Sequence, residues 1–272
     1  MGNTKEMATE IAAETGKKAQ SLKQRPPRLG VCLDQIAALR ELRDAPYPDL
    51  LEAARCAKKG GADQITVHLR QDRKYVQDGD VKNLQAELAG WRDQKITLNL
   101  QMAALPASVR FATRIRPDWV CLVPEKRQED TPQRGLDFKK DRIQLGRVIS
   151  QLKKEGIKVS CLIDPGSQSV RMSQQMGADA VEIYTGLSAT NYVQKNFEKI
   201  KDAAQVAAQL GIPVHAGNGL NYENIRLLAE LERADRSPMI EEYNIGHSIA
   251  CRAVFVGLES AVREMFSAIY AP

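Results

Sequence analysis

Short apolar runs recur along this chain, separated by stretches in which apolar residues return at helical spacing. Runs 29–33, 65–68, 96–100, 119–123, 159–163, 180–184, 213–216 and 242–245 are bounded by glycine, proline or polar residues and read as buried strands. The stretches 48–59, 80–91, 106–115, 141–155, 167–176, 193–210 and 222–231 read as helices, and 249–269 as one long closing helix. Gly60-Gly61, Gly156 and Gly211 each end a helix and turn the chain into the next strand. Eight strands alternating with helices predict βαβ units around a parallel sheet, and the count predicts a (β/α)₈ TIM barrel as a single domain over residues 28–272. Gly60-Gly61-Ala62-Asp63 before strand two is echoed by Gly177-Ala178-Asp179 before strand six. The echo fits an internal repeat and equally fits the general demand of such loops for glycine. Residues 127–136 form a polar connection that is long for a barrel loop.

Length agrees with this picture: the chain has 272 residues, and a barrel takes about 250. Residues 1–27 differ from the rest. They are rich in Ala, Lys and Glu, close on Arg25-Pro26-Pro27 and contain no apolar stretch of the signal-peptide kind. They are expected to form a polar N-terminal tail outside the barrel. Glu6 stands where a Met1-Gly2 lipidation motif calls for Ser or Thr.

The net charge of +5 is modest and accompanies no nucleic-acid motif, so no nucleic-acid partner is expected. No apolar run approaches the roughly 20 residues of a membrane span, so no membrane partner is expected either. Five cysteines lie scattered with no CxxC pair, which argues against a metal site and a disulfide framework and for a reducing cytoplasm.

Chemistry gathers where the strands end. Asp34, His68, Arg70, Gln101, Glu125, Asp164, Glu182, Asn218 and His247 all fall at the C-terminal edge of a predicted strand, the face on which barrels build their sites. Two late loops look made for an anion. Ala216-Gly217-Asn218-Gly219 follows strand seven, and Asn244-Ile245-Gly246-His247-Ser248 follows strand eight and opens a helix whose N–H groups and dipole favour phosphate. Arg40, Arg43, Arg70 and Arg73 offer a second anionic subsite, with Arg70 placed by alternation beside His68. Three ring-end positions hold amides: Gln35, Gln101 and Asn218. An amide binds a substrate but does not exchange protons near neutral pH. Glu182 and His68 are then the best acid–base candidates. Cys32 is either a nucleophile or proton carrier or a plain buried thiol. Alternation places His215 on the opposite face from Asn218.

The motifs His68-Leu69-Arg70-Gln71-Asp72-Arg73, Leu122-Val123-Pro124-Glu125-Lys126-Arg127-Gln128-Glu129, Gly135-Leu136-Asp137, Ala216-Gly217-Asn218-Gly219-Leu220 and Asn244-Ile245-Gly246-His247 stand in this order. Together they closely resemble the pyridoxine 5′-phosphate synthase family over about residues 29–266. The resemblance implies a barrel with extra helices, assembled as a homo-octamer, with no metal and no organic cofactor. It implies condensation of 1-deoxy-D-xylulose 5-phosphate with 3-amino-2-oxopropyl phosphate, both phosphorylated small molecules, in vitamin B6 biosynthesis.

Carried over position by position, it implies pentulose-phosphate contacts at Asp34, Arg70 and Thr131, with Gln35 and Tyr75 where the family has histidines. It implies aminoketone-phosphate contacts at Arg43, Gly219, Gly246 and His247, with Cys32 where the family has asparagine. One catalytic histidine is kept as His68. The catalytic glutamate is replaced by Gln101 and the catalytic histidine of the strand-seven loop by Asn218. Three readings follow: a synthase with a shifted acid–base set, a paralogous barrel enzyme for related phosphorylated carbonyl compounds, or a non-catalytic binder of sugar phosphates.

Overall fold

The computed structural model describes residues 26–43, 45–91, 95–125, 129, 131–186 and 191–270. Eight parallel strands, β1 (Arg28–Cys32), β2 (Gln64–His68), β3 (Thr97–Met102), β4 (Trp119–Leu122), β5 (Lys158–Ile163), β6 (Ala180–Tyr184), β7 (Val214–Gly217) and β8 (Glu242–Ile245), follow one another around a closed barrel. The ring closes where β8 pairs with β1. The helices are α1 (Asp34–Glu41), α2 (Leu50–Gly60), α3 (Asp78–Ala89), α4 (Pro106–Ile115), α5 (Phe138–Lys154), α6 (Ser167–Gln175), α7 (Tyr192–Leu210), α8 (Ile225–Ala229), α9 (His247–Val256) and α10 (Leu258–Tyr270). The expected TIM barrel is present.

Each strand presents two faces. Leu29, Val31, Ile65, Val67, Leu98, Leu100, Val181, Ile183, Tyr243 and Ile245 face outward into one apolar layer shared with the helices. The helices meet it with narrow apolar stripes, as α2 does with Leu50, Ala53, Ala54 and Ala57. That helix starts at Asp49, whose carboxylate accepts from Leu51 N–H at 2.9 Å. The inward faces are largely polar: Gln64 and Thr66 on β2, Asn99 on β3, Ser160 on β5, Glu182 on β6, His215 on β7, and Glu242 and Asn244 on β8 are all buried. Cys121, Leu162 and Tyr184 form a small apolar cluster separate from the outer layer.

Three expectations need adjustment. Residues 34–41 form a helix that the apolar pattern does not announce. The closing helix is two helices, broken at Gly257, whose φ of +80 is a left-handed conformation. The 222–231 stretch shrinks to α8, because the side-chain oxygen of Asn221 takes the N–H groups of Glu223 and Asn224 at 2.9 and 2.8 Å. Such Asx bonds compete with a helical start. Most of the expected tail, residues 1–25, lies outside the described residues. Pro27 is buried, and its carbonyl accepts a bond from Tyr270 at the end of α10.

Of the long 127–136 connection, 127–128 and 130 lie outside the described residues. Its later part is pinned to β5 by Leu136 N–H on the Leu162 carbonyl, 2.8 Å, and Gly135 N–H on Asp164, 2.9 Å. Among the described residues no helix is long and apolar enough to cross a membrane.

Candidate active site at the barrel mouth

A cavity of about 210 Å³ opens at the C-terminal ends of the strands. Cys32, Asp34 and Gln35 reach it from the end of β1 and the start of α1, Gln101 from β3, Glu182 from β6, and Asn218 and Gly219 from the turn after β7. Asn244, Gly246 and His247 close it from β8 and α9, and Thr131 comes in from the long β4–α5 connection. Residues from both ends of the barrel sequence are thus gathered in one chamber.

The turn into α9 is shaped by a missing side chain. A Cβ on Gly246 would lie 2.6 Å from Gln35 Oε1, 2.8 Å from Cys32 Cβ and 3.1 Å from the Cys32 carbonyl. No side chain caps the first turn of α9, which borders the cavity at Gly246 and His247, and uncapped N–H groups at a helix start favour an anion. Asn218 sits at φ +71, a region asparagine tolerates better than most residues. Its amide donates to Thr131 Oγ1 at 3.3 Å and to the Pro132 carbonyl at 3.4 Å, which ties the β7 turn to the β4–α5 connection.

The titratable groups divide sharply. Burial, then the nearby Glu242, pushes the Glu182 carboxyl up to about 8, so it holds a proton at neutral pH. One of its oxygens, Oε1, has no hydrogen-bond partner. Burial raises Asp34 to about 6, although Asp34 accepts from His68 N–H at 2.7 Å. Burial, with Asp34 and Glu182 beside it, drives the Cys32 thiol well above its ordinary range. Cys32 is therefore a neutral thiol in the cavity wall rather than a thiolate nucleophile. Burial and the charge of Arg70 pull His68 down to about 4, which leaves a neutral imidazole with Nε2 buried and unpartnered.

His68, Arg43, Arg70 and Tyr75 do not line this cavity. Arg70 is buried, forks onto Asp72 at 3.0 and 2.9 Å and reaches the Glu129 carbonyl. A phosphate at Arg70 would have to take the place of Asp72. Arg40 is a brace instead of an anion ligand, bound to Asp80 at 2.8 and 2.7 Å and to the Tyr75 carbonyl. Arg73 is held likewise by Asp78 at 2.6 Å. Arg43 is exposed, and Tyr75 packs half-buried against the outer layer.

The placement of His215 corrects the expectation from alternation. It points into the barrel, 3.3 Å from Glu242 and edge-on to Trp119. Asn218 lies past the end of β7 in a left-handed turn, so strand parity does not relate the two. The polar interior behind the cavity goes beyond the expected strand-end residues. Its signal is in the chain: Gln64, Thr66 and His68, then Thr97, Asn99 and Gln101, then Glu242 and Asn244 put polar groups at every second position. Among the described residues no group of His, Cys, Asp or Glu is arranged to hold a metal ion.

The family model described as "Pyridoxal phosphate biosynthesis protein PdxJ" matches residues 29–271. A pyridoxine 5′-phosphate synthase of a Sulfurihydrogenibium species is 45% identical over 241 residues, covering 88% of this chain and 96% of that protein. One from Prochlorococcus marinus is 43% identical over 245 residues, covering 89% and 98%. Among solved structures, 3-keto-L-gulonate-6-phosphate decarboxylase from Vibrio cholerae superposes with a TM-score of 0.59 at 14% identity, covering 90% of this chain and 98% of its own. Phosphoribosyl anthranilate isomerase from Thermus thermophilus gives 0.56 at 14% identity, covering 90% and 98%. At such identities these two structures speak for the barrel fold alone.

Proposed function

The chain belongs to the PdxJ family of pyridoxal phosphate biosynthesis proteins, and from that premise we propose that it condenses 1-deoxy-D-xylulose 5-phosphate with 3-amino-2-oxopropyl phosphate to pyridoxine 5′-phosphate. The observation that carries this reading is the Glu182 carboxyl. It is buried, protonated at neutral pH and unpartnered at one oxygen, and it lines a chamber that the Gly246-His247 turn also lines.

Ring closure needs carbinolamine dehydration, enolisation, phosphate loss and an aromatising proton loss, and every step moves a proton. Glu182 gives its proton to the departing carbinolamine hydroxyl, which leaves as water, and its carboxylate then takes a proton from the adjacent carbon. Gln101 and Asn218 stand where the family's glutamate and histidine would act, and here they orient substrate oxygens by hydrogen bonding. The first turn of α9, with Gly219 beside it, holds the aminoketone phosphate. Asp34, Thr131 and Arg70, once released from Asp72, take the pentulose phosphate. His68, a neutral imidazole whose Nε2 is buried and unpartnered, donates to or accepts from the substrate. No step calls for a metal or an organic cofactor. The exposed Leu42, Tyr47, Val254 and Phe255 near α1 and α9 support assembly as a homo-oligomer, with an octamer as the family's arrangement. A cytoplasmic location fits the phosphorylated substrates.

The test is to supply the purified protein with both substrates and assay pyridoxine 5′-phosphate. Gln101→Glu combined with Asn218→His is expected to raise the rate at least about tenfold, because a placed acid or base contributes roughly 10²–10⁴-fold. The two amides favour one alternative, a paralogous enzyme for related phosphorylated carbonyl compounds. Absence of product from the wild type and from a folded double variant, with phosphate binding intact, would decide for that alternative.

A further inference from the structure

Behind Glu182 lies a set of buried polar side chains that no step above uses. At its base Glu242 is fully buried and ion-paired with Arg28. Burial by itself would raise the Glu242 carboxyl, but His215 and Arg28 pull it below the ordinary carboxylate range, so it is ionised. An ionised carboxylate only accepts hydrogen bonds. That fixes Gln64: its amide nitrogen donates to Glu242 Oε1 at 2.7 Å, and its oxygen accepts from Thr97 at 2.9 Å.

The same Gln64 nitrogen donates to Asn244 Oδ1 at 3.2 Å, and Thr66 Oγ1 donates there at 3.1 Å. With its oxygen filled by two donors, Asn244 turns its nitrogen the other way. Nδ2 donates to Glu242 Oε1 at 3.1 Å and to Glu182 Oε2 at 2.9 Å. The orientation of every amide in the chain thus follows from one charge at its base. Glu182 Oε2 is occupied as an acceptor, which leaves Oε1 as the oxygen that carries the proton. Room for it exists because position 217 has no side chain: a Cβ there would lie 2.4 Å from Oε1.

We propose that Glu242, Gln64 and Asn244 are positioning residues that fix which oxygen of Glu182 exchanges protons with the cavity. This rests on Glu182 as the proton-transfer group. Glu242 contributes a second effect. Its fixed negative charge disfavours ionisation of Glu182 and keeps that carboxyl loaded between turnovers. The groups facing Glu182 are Glu242 and Asn244 from β8, Cys121 from β4 and Cys32 from β1, and neither thiol carries charge near neutral pH.

Infrared spectroscopy reads this directly. The C=O stretch of a protonated carboxyl, assigned to Glu182 by its loss in Glu182→Gln, is expected to disappear on titration with a midpoint near pH 8. In Glu242→Gln the midpoint falls by about one pH unit, a tenfold loss of proton affinity. In Asn244→Ala the band moves to higher frequency, because the Oε2 carbonyl loses its donor. If Glu242→Gln fails to fold, the joint replacement Arg28→Gln with Glu242→Gln removes the ion pair as a unit and carries the same expectation. No band in the wild type, an unmoved midpoint in the charge variants, or an unmoved frequency in Asn244→Ala overturns the inference. Turnover in Glu182→Gln equal to wild type would instead sink the functional reading while leaving the spectroscopic result standing.

Discussion

Glu182→Gln is expected to lower turnover by about 10²–10⁴-fold, the worth of a placed acid–base group, while ligand binding at the α9 turn stays unchanged. The substitution keeps size and polarity and removes only the exchangeable proton, so the loss falls on kcat. A second consequence concerns stability. The Glu182 carboxyl is raised from its ordinary 4.5 to about 8 in the folded protein. The folded state therefore binds this proton more tightly than the unfolded state does. That contribution is fully present below pH 4.5 and is lost as pH rises through 8. Wild-type Tm should fall across this window, and Glu182→Gln, which has nothing to ionise, should fall less. Parallel Tm curves for the two proteins between about pH 6 and 9 would show that Glu182 does not hold its proton in the fold.

The fold was legible because each outward strand face is an unbroken apolar set. Ile65 with Val67 and Val181 with Ile183 are the positions that bury the helices, and their recurrence counts the strands. The breaks were less legible. Nothing in the apolar spacing of 249–269 marks Gly257, with its φ of +80, as the break, since helices tolerate a lone glycine.

The site shows the same division. Strand-end position brings Asp34, Gln101, Glu182 and His247 to the cavity, because a closed parallel barrel puts all such ends on one rim. Whether an arginine near that rim is available depends on side-chain partners that sequence does not specify. Arg40 meets Asp80 across two helices, and Arg70 meets Asp72 two residues away. The hydrogen-bonded set behind Glu182 was only half legible, for another reason. The alternating polar positions of β2 and of β8 show in the sequence one strand at a time, but only the barrel register sets Gln64 beside Asn244 and Glu242.

Gly246→Ala is expected to weaken binding of a phosphorylated ligand by roughly tenfold to a hundredfold, with a loss of about 1–3 kcal/mol of stability typical of overpacking. The first contact of the new Cβ, Gln35 Oε1 at 2.6 Å, is the end of a flexible side chain and can swing away. The next two cannot. Cys32 Cβ at 2.8 Å and its carbonyl at 3.1 Å belong to the end of β1, which is paired with β2 at Thr66 and, one residue earlier, with β8 at Ile245. With β1 fixed on both sides, the β8–α9 turn has to give. The N–H groups of the first turn of α9 then leave the line they share toward the cavity, and charge-assisted bonds of about 1.5–3 kcal/mol each are lengthened or lost. Gly156→Ala is the control. That residue has a φ of +78, and a methyl group added to it would meet nothing within 4 Å, so alanine there strains the backbone far from the site. Calorimetry with inorganic phosphate or either phosphorylated substrate should show weaker binding in Gly246→Ala and wild-type binding in Gly156→Ala. Equal affinities in the two variants would remove the α9 turn from the ligand site and shift phosphate recognition toward Arg70.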